Sequence, residues 1–347
     1  MDELRIAVVG VGRIGLTHAE HLARQVRGAR LVAVTTSSPE RARSATRACG
    51  PVRVYDDLDA LLEGEPLDAA VIASSTSAHV DNVVHCAAAG VPVLCEKPLA
   101  LSLADCDRAI RAADEAHTTL MLGHVRRFDA GYLEARRMIS EGAIGRPVLY
   151  RALSGDMDPP PPDFADLAVS GGLILDSMYH DIYLGRWLLD DEIVRVSGEG
   201  DALIDDGVRS VGDVDNAVVN VRFAGGAMGT LTASRVTRYG HDLRGEVIGD
   251  EGAVQIGRFR QTPVRLLDRR GVHHDMARTT PDRMAEAFVA MLQAFVDCVL
   301  EGSDPPVGGV DGRATVGVAL AARHSIQTGL PVALESLEDT VGDHHQD

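Results

Sequence analysis

Cysteines and long hydrophobic runs are scarce in this sequence. The five cysteines among 347 residues are Cys49, Cys86, Cys95, Cys106 and Cys298. Their odd number and the absence of a Cys-x-x-Cys spacing exclude a disulfide framework and a zinc cage. Met1–Arg5 leads straight into a strand-like segment with no signal-peptide pattern, and no later run approaches a membrane span. We therefore expect a cytoplasmic protein that is neither exported nor membrane-embedded and has no metal site.

Basic and aromatic residues are also in short supply. The 34 lysines and arginines stand against 51 acidic residues, for a formal net charge of −17, which repels nucleic acid and anionic lipid headgroups. Aromatic residues make up 4% and hydrophobic residues 45%, so the core must consist mainly of Ala, Val, Leu and Ile, as suits an α/β fold. The length predicts two domains. A small molecule is the expected partner.

The first part of the chain alternates short β-branched runs with helical stretches. The strand-like runs are Ile6–Val9, Leu31–Thr35, Ala69–Ala73, Val91–Cys95 and Thr119–Leu122. Such βαβ alternation predicts a parallel sheet with right-handed crossovers.

A glycine-rich turn, Gly-x-Gly-x-x-Gly, joins the first predicted strand to a helix. In that setting Gly10 makes the tight turn, Gly12 lets the backbone approach a pyrophosphate, and Gly15 allows close packing of helix on strand. The helix start, with Arg13 and Ile14, adds N–H groups and the positive end of the helix dipole. The pattern predicts a Rossmann domain that binds a dinucleotide.

After Arg127 the pattern changes to a mixture of long helices and alternating strands. The predicted helices are Tyr132–Ser140, Leu173–Leu189, Pro281–Glu301 and Asp311–Thr328. The predicted strands are Val148–Leu153, Val194–Ser197, Ala217–Phe223, Ala227–Ser234, Leu243–Ile248 and Ala253–Ile256, with a proline-rich loop at Pro159–Pro162. The strands favour a large, mainly antiparallel open sheet. We expect a Rossmann NAD(P)-binding domain at 1–124, an α+β substrate-binding and oligomerisation domain at 125–335, and a polar tail at 336–347.

The end of the second strand lacks the carboxylate that usually holds the ribose of NAD. Thr36, Ser37 and Ser38 stand there instead, with Arg41 and Arg43 just beyond. Hydroxyls and a guanidinium can bind a 2′-phosphate, and nothing in this segment repels one. Alternatively, the two arginines are solvated helix residues. The cofactor is therefore NAD or NADP, with NADP tolerated or preferred.

Two further motifs place reactive groups where a ligand would lie. Lys97, in Glu96-Lys97-Pro98, follows a predicted strand at the sheet edge where open α/β folds bind ligands. Alternatively, Glu96 and Lys97 form a surface ion pair and the Lys-Pro step is an ordinary turn. Asp176 and His180 are four residues apart, so a helix puts them on one face as a carboxylate–imidazole pair suited to accept a proton. Their neighbours are apolar, which favours a buried pair over a solvated one.

These motifs together resemble the Gfo/Idh/MocA oxidoreductases, and most closely the inositol 2-dehydrogenases. The resemblance spans nearly the whole chain, and the Glu-Lys-Pro and Gly-Gly…Asp…His elements together are specific to this family. The matching segments are Gly10–Gly15, His79, Glu96–Pro98, Gly123–Asp129, Ser170–His180, Gly245–Gly252 and Asp311–Arg313.

The resemblance implies a catalytic trio of Lys97, Asp176 and His180. His180 would accept the hydroxyl proton while hydride passes to the nicotinamide, Lys97 would hydrogen-bond the reacting oxygen, and Asp176 would position both. The Lys-Pro peptide of the family is often cis, which here is Lys97–Pro98. Further cofactor residues would be Ser74, His79 and Glu96, and the substrate residues would be Arg127, Asp156, Tyr183 and Tyr239.

The sequence departs from the inositol dehydrogenases at three positions. Tyr183 replaces a hydroxyl-binding aspartate, Thr36 replaces the aspartate of the second strand, and His124 stands where a phenylalanine is common. Because a missing hydroxyl partner lowers affinity strongly, we expect weak activity on myo-inositol. Asp156 and Asp158 would favour a neutral or cationic ring, or they are solvated loop acids.

The resemblance implies a homodimeric or homotetrameric oxidoreductase that acts on a secondary alcohol of a cyclitol, sugar or aminosugar. Two alternatives use the same fold: a non-catalytic NAD(P)-binding regulator and a glycoside hydrolase that uses NAD transiently. Retention of the full catalytic trio disfavours the regulator, and the lack of an export signal disfavours the hydrolase.

Overall fold

The computed structural model describes residues 3–159, 166–257, 261–262 and 264–336. The chain divides into two compact units, Met1–Phe128 with Ala285–Val316 and Asp129–Met284 with Gly317–Asp347. Residues 160–162 of the proline-rich loop and 337–347 of the tail lie outside the described residues. None of the helices in the described ranges is both long and apolar enough to cross a membrane.

The N-terminal unit contains a six-stranded parallel sheet in the order β3-β2-β1-β4-β5-β6. Its strands are β1 Leu4–Val9, β2 Ala29–Thr35, β3 Arg53–Tyr55, β4 Ala69–Ile72, β5 Val93–Glu96 and β6 Leu120–Gly123. Its helices include α1 Arg13–Arg24, α2 Pro39–Cys49, α3 Leu58–Gly64, α4 Thr76–Ala88 and α5 Leu103–Glu115. This strand order is that of a Rossmann fold, in which ligands bind beyond the carboxyl ends of the strands where the order reverses. The predicted fold class is confirmed for this unit.

Parts of two helices late in the chain belong to the N-terminal unit. They are α10 (Thr280–Glu301) and α11 (Gly309–Thr328), numbered after the helices of the second unit. The Phe288 ring packs edge-on against His18 with centroids 5.4 Å apart. Gln293 exchanges two hydrogen bonds with the Arg27 backbone. These contacts place Ala285–Val316 with the first unit, whereas the predicted boundaries place that segment in the second.

The C-terminal unit contains a seven-stranded mixed sheet in the order β12-β11-β7-β10-β9-β8-β15. Its strands are β7 Pro147–Gly155, β8 Ile193–Asp201, β9 Asn216–Phe223, β10 Met228–Ser234, β11 Asp242–Gly249, β12 Ala253–Gly257 and β15 Val332–Ala333. A separate hairpin pairs β13 Leu266–Asp268 with β14 Gly271–His273. Within the described part of this sheet the β7–β10 pair is parallel and the other pairs are antiparallel, as predicted.

Helices of the C-terminal unit cover this sheet. They are α6 Ala130–Ser140, α7 Leu167–Ser170, α8 Tyr179–Leu189 and α9 Asp206–Ser210, with a π-helical turn at Ile174–Met178 before α8. Helix α8 crosses β7 closely, because a Cβ at Gly185 would lie 2.7 Å from the Tyr150 ring. The helix that carries the predicted Asp–His pair is therefore fixed directly on the sheet.

Candidate active site

The glycine-rich turn combines tight packing with one open position. A Cβ at Gly15 would lie 1.9 Å from the Gly10 carbonyl oxygen, and one at Gly10, where φ is +88°, would lie 2.7 Å from the Ser74 backbone. A Cβ at Gly12 would meet nothing within 4 Å. Packing therefore requires two of the glycines, and the third leaves room for a ligand to approach the backbone.

The start of α1 is suited to bind an anion. Gly12 precedes the helix without any side-chain cap, and no acidic residue stands in its first turn. Arg13 is exposed and Ile14 is half-buried beside the turn. The first N–H groups of a helix have no partner within it and carry its positive dipole end. These residues fit the pyrophosphate of a dinucleotide.

The hydroxyls after β2 serve mainly their own turn. Thr36 Oγ1 accepts the Ser38 N–H at 3.1 Å, and Ser38 Oγ caps α2 by accepting the Arg41 N–H at 3.4 Å. Ser37, Arg41 and Arg43 are exposed. The turn thus offers one exposed hydroxyl and two exposed guanidinium groups to a ribose.

His79 joins the segments that follow β4 and β5. Its Nδ1 lies 2.9 Å from the Pro98 carbonyl oxygen and its Nε2 lies 3.2 Å from the Ser74 carbonyl oxygen. Burial lowers the pKa of His79, so the ring is neutral at physiological pH. A neutral imidazole carries one N–H, so it donates a hydrogen bond to one of these two carbonyl oxygens and adds no charge.

The Glu96 side chain forms hydrogen bonds inside the N-terminal unit and is not part of a surface ion pair. Its Oε1 lies 2.7 Å from Nε2 of the fully buried His18, and its Oε2 accepts the Lys97 backbone N–H at 3.1 Å. A Cβ at Gly123 would lie 2.9 Å from the Glu96 carboxyl carbon. The Lys97–Pro98 peptide is cis, as predicted. Sequence reasoning missed His18, whose signal is a polar residue on the buried face of α1.

Asp176 and His180 lie in one continuous helical segment of the C-terminal unit. Asp176 belongs to the π-helical turn, and His180 follows in the first turn of α8. His180 is 5% exposed, and the Asp176 side chain is 23% exposed. The prediction of a single helix from Leu173 missed the π turn, a feature frequent at functional sites. The predicted burial of the imidazole is confirmed.

The base of this helix is held by residues that the sequence did not reveal. Both carboxylate oxygens of Asp213 accept the Leu173 N–H, at 3.0 and 3.2 Å. Arg235 Nη2 lies 3.5 Å from Asp213 Oδ2 and 4.0 Å from Asp176 Oδ2. Only the folded sheet brings these side chains to the helix, because they follow α9 and β10 in the chain.

Two predicted substrate residues lie next to the same helix. Asp156 accepts a hydrogen bond from Ser177 Oγ at 2.9 Å, and its other oxygen lies 3.2 Å from Nδ1 of the buried His241. Tyr183 is 2% exposed and lies one helical turn after His180. Asp156, Tyr183 and the Asp176–His180 pair therefore belong to one region of the C-terminal unit.

The remaining predicted substrate residues differ in exposure and in their partners. Tyr239 is 60% exposed, and its hydroxyl donates to Asp242 at 2.9 Å; burial and that hydrogen bond raise the pKa of Tyr239. Asp158 pairs with Arg238 on the surface at 2.7 Å, as a solvated loop acid does. Arg127 is half-buried in the 3-10 helix Val125–Phe128 of the N-terminal unit.

A Rossmann unit with an open glycine turn and a second unit with a buried imidazole four residues after a carboxylate define, as a class, a nicotinamide-dependent dehydrogenase. The family description "Oxidoreductase family, NAD-binding Rossmann fold" matches residues 4–124, and the Gfo/Idh/MocA C-terminal domain matches residues 132–255. The chain belongs to the Gfo/Idh/MocA oxidoreductases.

Individual relatives agree with this assignment. The chain is 38% identical to a scyllo-inositol 2-dehydrogenase (NAD(+)) of Bacillus subtilis over 96% of this chain and 97% of that one. It is 36% identical to a myo-inositol 2-dehydrogenase of Thermotoga maritima, over 96% and 99% of the two chains. A crystal structure of scyllo-inositol dehydrogenase from Lactobacillus casei with NAD(H) and scyllo-inositol superposes with a TM-score of 0.89 at 28% identity, covering 96% of this chain and 100% of that one. The family and the oxidoreductase class predicted from the motifs are confirmed.

Proposed function

We propose that this protein oxidises a secondary hydroxyl of an inositol with NAD, and that scyllo-inositol is a better substrate than myo-inositol. The observation that carries the proposal is the buried His180 with Asp176 four residues before it. The relatives named above act on inositols by their names and use NAD in two of the three cases. A Rossmann turn that fits a pyrophosphate supports the same cofactor.

The chemistry assigns one task to each polar group. His180 takes the proton of the reacting hydroxyl, because a buried imidazole beside a carboxylate is oriented and made more basic. Lys97 hydrogen-bonds the reacting oxygen as it becomes a carbonyl, and Asp176 orients the His180 imidazole. Bound NAD supplies the nicotinamide that accepts the hydride. Asp156, already held by Ser177 and His241, offers its remaining acceptor capacity to a ring hydroxyl.

We further propose that the turn after β2 discriminates weakly between NAD and NADP. Wild-type preference for NAD should stay below a hundredfold, about 2.7 kcal/mol, because no carboxylate among residues 36–38 repels a 2′-phosphate. Replacing Thr36 with Asp should raise the NAD preference about tenfold or more. Thr36→Asn is the neutral control of similar size and should leave the ratio near the wild-type value. Fluorescence titration with NADH and NADPH gives both dissociation constants, and a wild-type ratio above a hundredfold would show that another group replaces the aspartate.

The substrate preference is tested by catalytic efficiency on scyllo-inositol, myo-inositol, glucose and an aminosugar. We expect scyllo-inositol to exceed myo-inositol about tenfold, because a buried site that lacks one hydroxyl acceptor discriminates against the ring that needs it. Scyllo-inositol has all its hydroxyls equatorial, whereas myo-inositol has one axial. Tyr183→Phe should change the ratio of the two efficiencies, and the buried but remote Tyr132→Phe should not. Myo-inositol as the best substrate by a wide margin would reject the argument from Tyr183.

A further inference from the structure

Arg235 is buried directly between two carboxylates, one of which belongs to the proposed catalytic pair. Its side chain is 1% exposed, and Nη2 lies 3.5 Å from Asp213 Oδ2 and 4.0 Å from Asp176 Oδ2. A buried guanidinium persists only when nearby charges compensate for its lost hydration. This arginine therefore depends on Asp176 and Asp213 together.

The contacts of Arg235 act through charge more than through rigid geometry. Both distances exceed those of a normal hydrogen bond, and within the described residues Nε and Nη2 have no hydrogen-bond partner. At such separations in a buried site, opposite charges still interact strongly. The group is therefore suited to set the electrostatic field at Asp176.

Asp213 links this charge to the backbone of the catalytic helix. It accepts the Leu173 N–H with both oxygens, three residues before Asp176. Gly172, with φ of +78°, has no room for a side chain, because its Cβ would lie 2.4 Å from Asp213 Oδ1. Burial raises the pKa of Asp213, while Arg235 opposes that rise. Asp213 thus competes with Asp176 for the charge of Arg235.

We propose that Arg235 is a positioning residue of the dehydrogenase, and that Asp213 and Asp176 share its charge so that the proton affinity of His180 is set by their balance. The inference rests on the proposed function of His180. Within the unit, other charged groups on or around this helix have partners of their own. These groups are Asp156 with His241, Asp181 with Ser154, Arg136 with Asp190, Arg186 with Glu192, and Arg323, which lies near Asp213.

The two single variants should shift the titration of His180 in opposite directions. Arg235→Met removes a positive charge 4.0 Å from Asp176, which favours the imidazolium and moves the midpoint to higher pH by about half a unit or more. Asp213→Asn keeps an acceptor for the Leu173 N–H but removes one of the two negative charges near Arg235. The charge of Arg235 then acts more strongly on Asp176, which moves the midpoint of His180 to lower pH. The double variant should fall between them. A merely structural role of Arg235 predicts no such pair of opposite shifts.

The experiment follows His180 by NMR in the full-length protein, with the signal assigned by comparison with His180→Asn. Arg222→Met is the matched control, because Arg222 lies near the far end of β9 and donates to the Gly226 carbonyl. Its midpoint should equal that of the wild type. If Arg235→Met fails to fold, two other variants test the proposal. Arg235→Lys keeps the charge and should keep the wild-type midpoint, and Asp213→Asn should lower the midpoint. An unshifted midpoint in Asp213→Asn overturns the proposal.

Kinetics supply the second readout and separate this inference from the proposed function. The acid limb of the kcat/KM profile on scyllo-inositol should follow the NMR midpoints, and Arg235→Met should lower kcat about tenfold to a hundredfold with little change in the NADH dissociation constant. A wild type inactive on every inositol would reject the proposed function while the NMR shifts still test the charge balance. A uniform loss of activity at all pH values without an NMR shift would reject the role of Arg235.

Discussion

Replacing His180 with alanine should lower turnover on an inositol by about 10²–10⁴-fold, the usual contribution of a general base. The imidazole is buried, with Asp176 four residues before it, and its removal takes away the proposed proton acceptor. NADH affinity should hardly change, because the cofactor residues lie in the other unit. Stopped-flow absorbance at saturating substrate, together with NADH titration, measures the two quantities separately.

His85→Ala is the control for this substitution, since His85 lies on the surface of α4 and pairs with the exposed Asp59. It should retain wild-type turnover. Wild-type turnover in His180→Ala would contradict the role of His180 as the proton acceptor. So would a variant that binds NADH more weakly but turns over normally once NADH is bound.

The largest effect on stability is expected from Gly15→Ala. Its Cβ would lie 1.9 Å from the Gly10 carbonyl oxygen, which only a movement of the turn or of α1 can relieve. We expect the free energy of unfolding to fall by about 3 kcal/mol or more. Gly12→Ala is the matched substitution, because its Cβ meets nothing within 4 Å. It should leave the unfolding free energy unchanged but weaken NADH binding about tenfold or more.

Urea unfolding followed by circular dichroism gives the stabilities, and fluorescence titration gives the affinities. Equal stability of the two alanine variants would contradict the tight packing described for Gly15. Undiminished NADH affinity in Gly12→Ala would show that the cofactor does not approach the backbone at this turn.

Much of the fold could be predicted because its elements carry local signals. Five parallel strands followed from short β-branched runs, and six of the seven strands of the second sheet followed from alternation. Strand β15, Val332–Ala333, and the hairpin of β13 and β14 were missed. The sixth strand of the parallel sheet, Arg53–Tyr55, was missed because three residues carry too little pattern. The π turn at Ile174–Met178 was missed because its residues have the spacing of an ordinary buried helix.

The site was predictable only where reactive residues stand in motifs. His79, Lys97 and the Asp176–His180 pair stood out by type and setting, but their supporting partners did not. Arg235 and Asp213 contact the helical segment of Asp176 and His180 through pairings across the sheet, which no spacing in the chain reveals. His18 reaches Glu96 from 78 positions earlier. Such partners satisfy buried polar groups, and their identity depends on the finished packing.

The return of parts of α10 and α11 to the N-terminal unit has a consequence for synthesis on the ribosome. The Leu122 N–H bonds to the Val307 carbonyl oxygen, and a Cβ at Gly309 would lie 2.6 Å from Ile110. Domains otherwise tend to fold in order as they emerge. Here the nucleotide-binding unit begins first but cannot be completed before residues Asp129–Met284 of the second unit have been made, because its final segment, Ala285–Val316, is translated after them. Nascent chains therefore carry an incomplete first unit until residue 316 has left the exit tunnel.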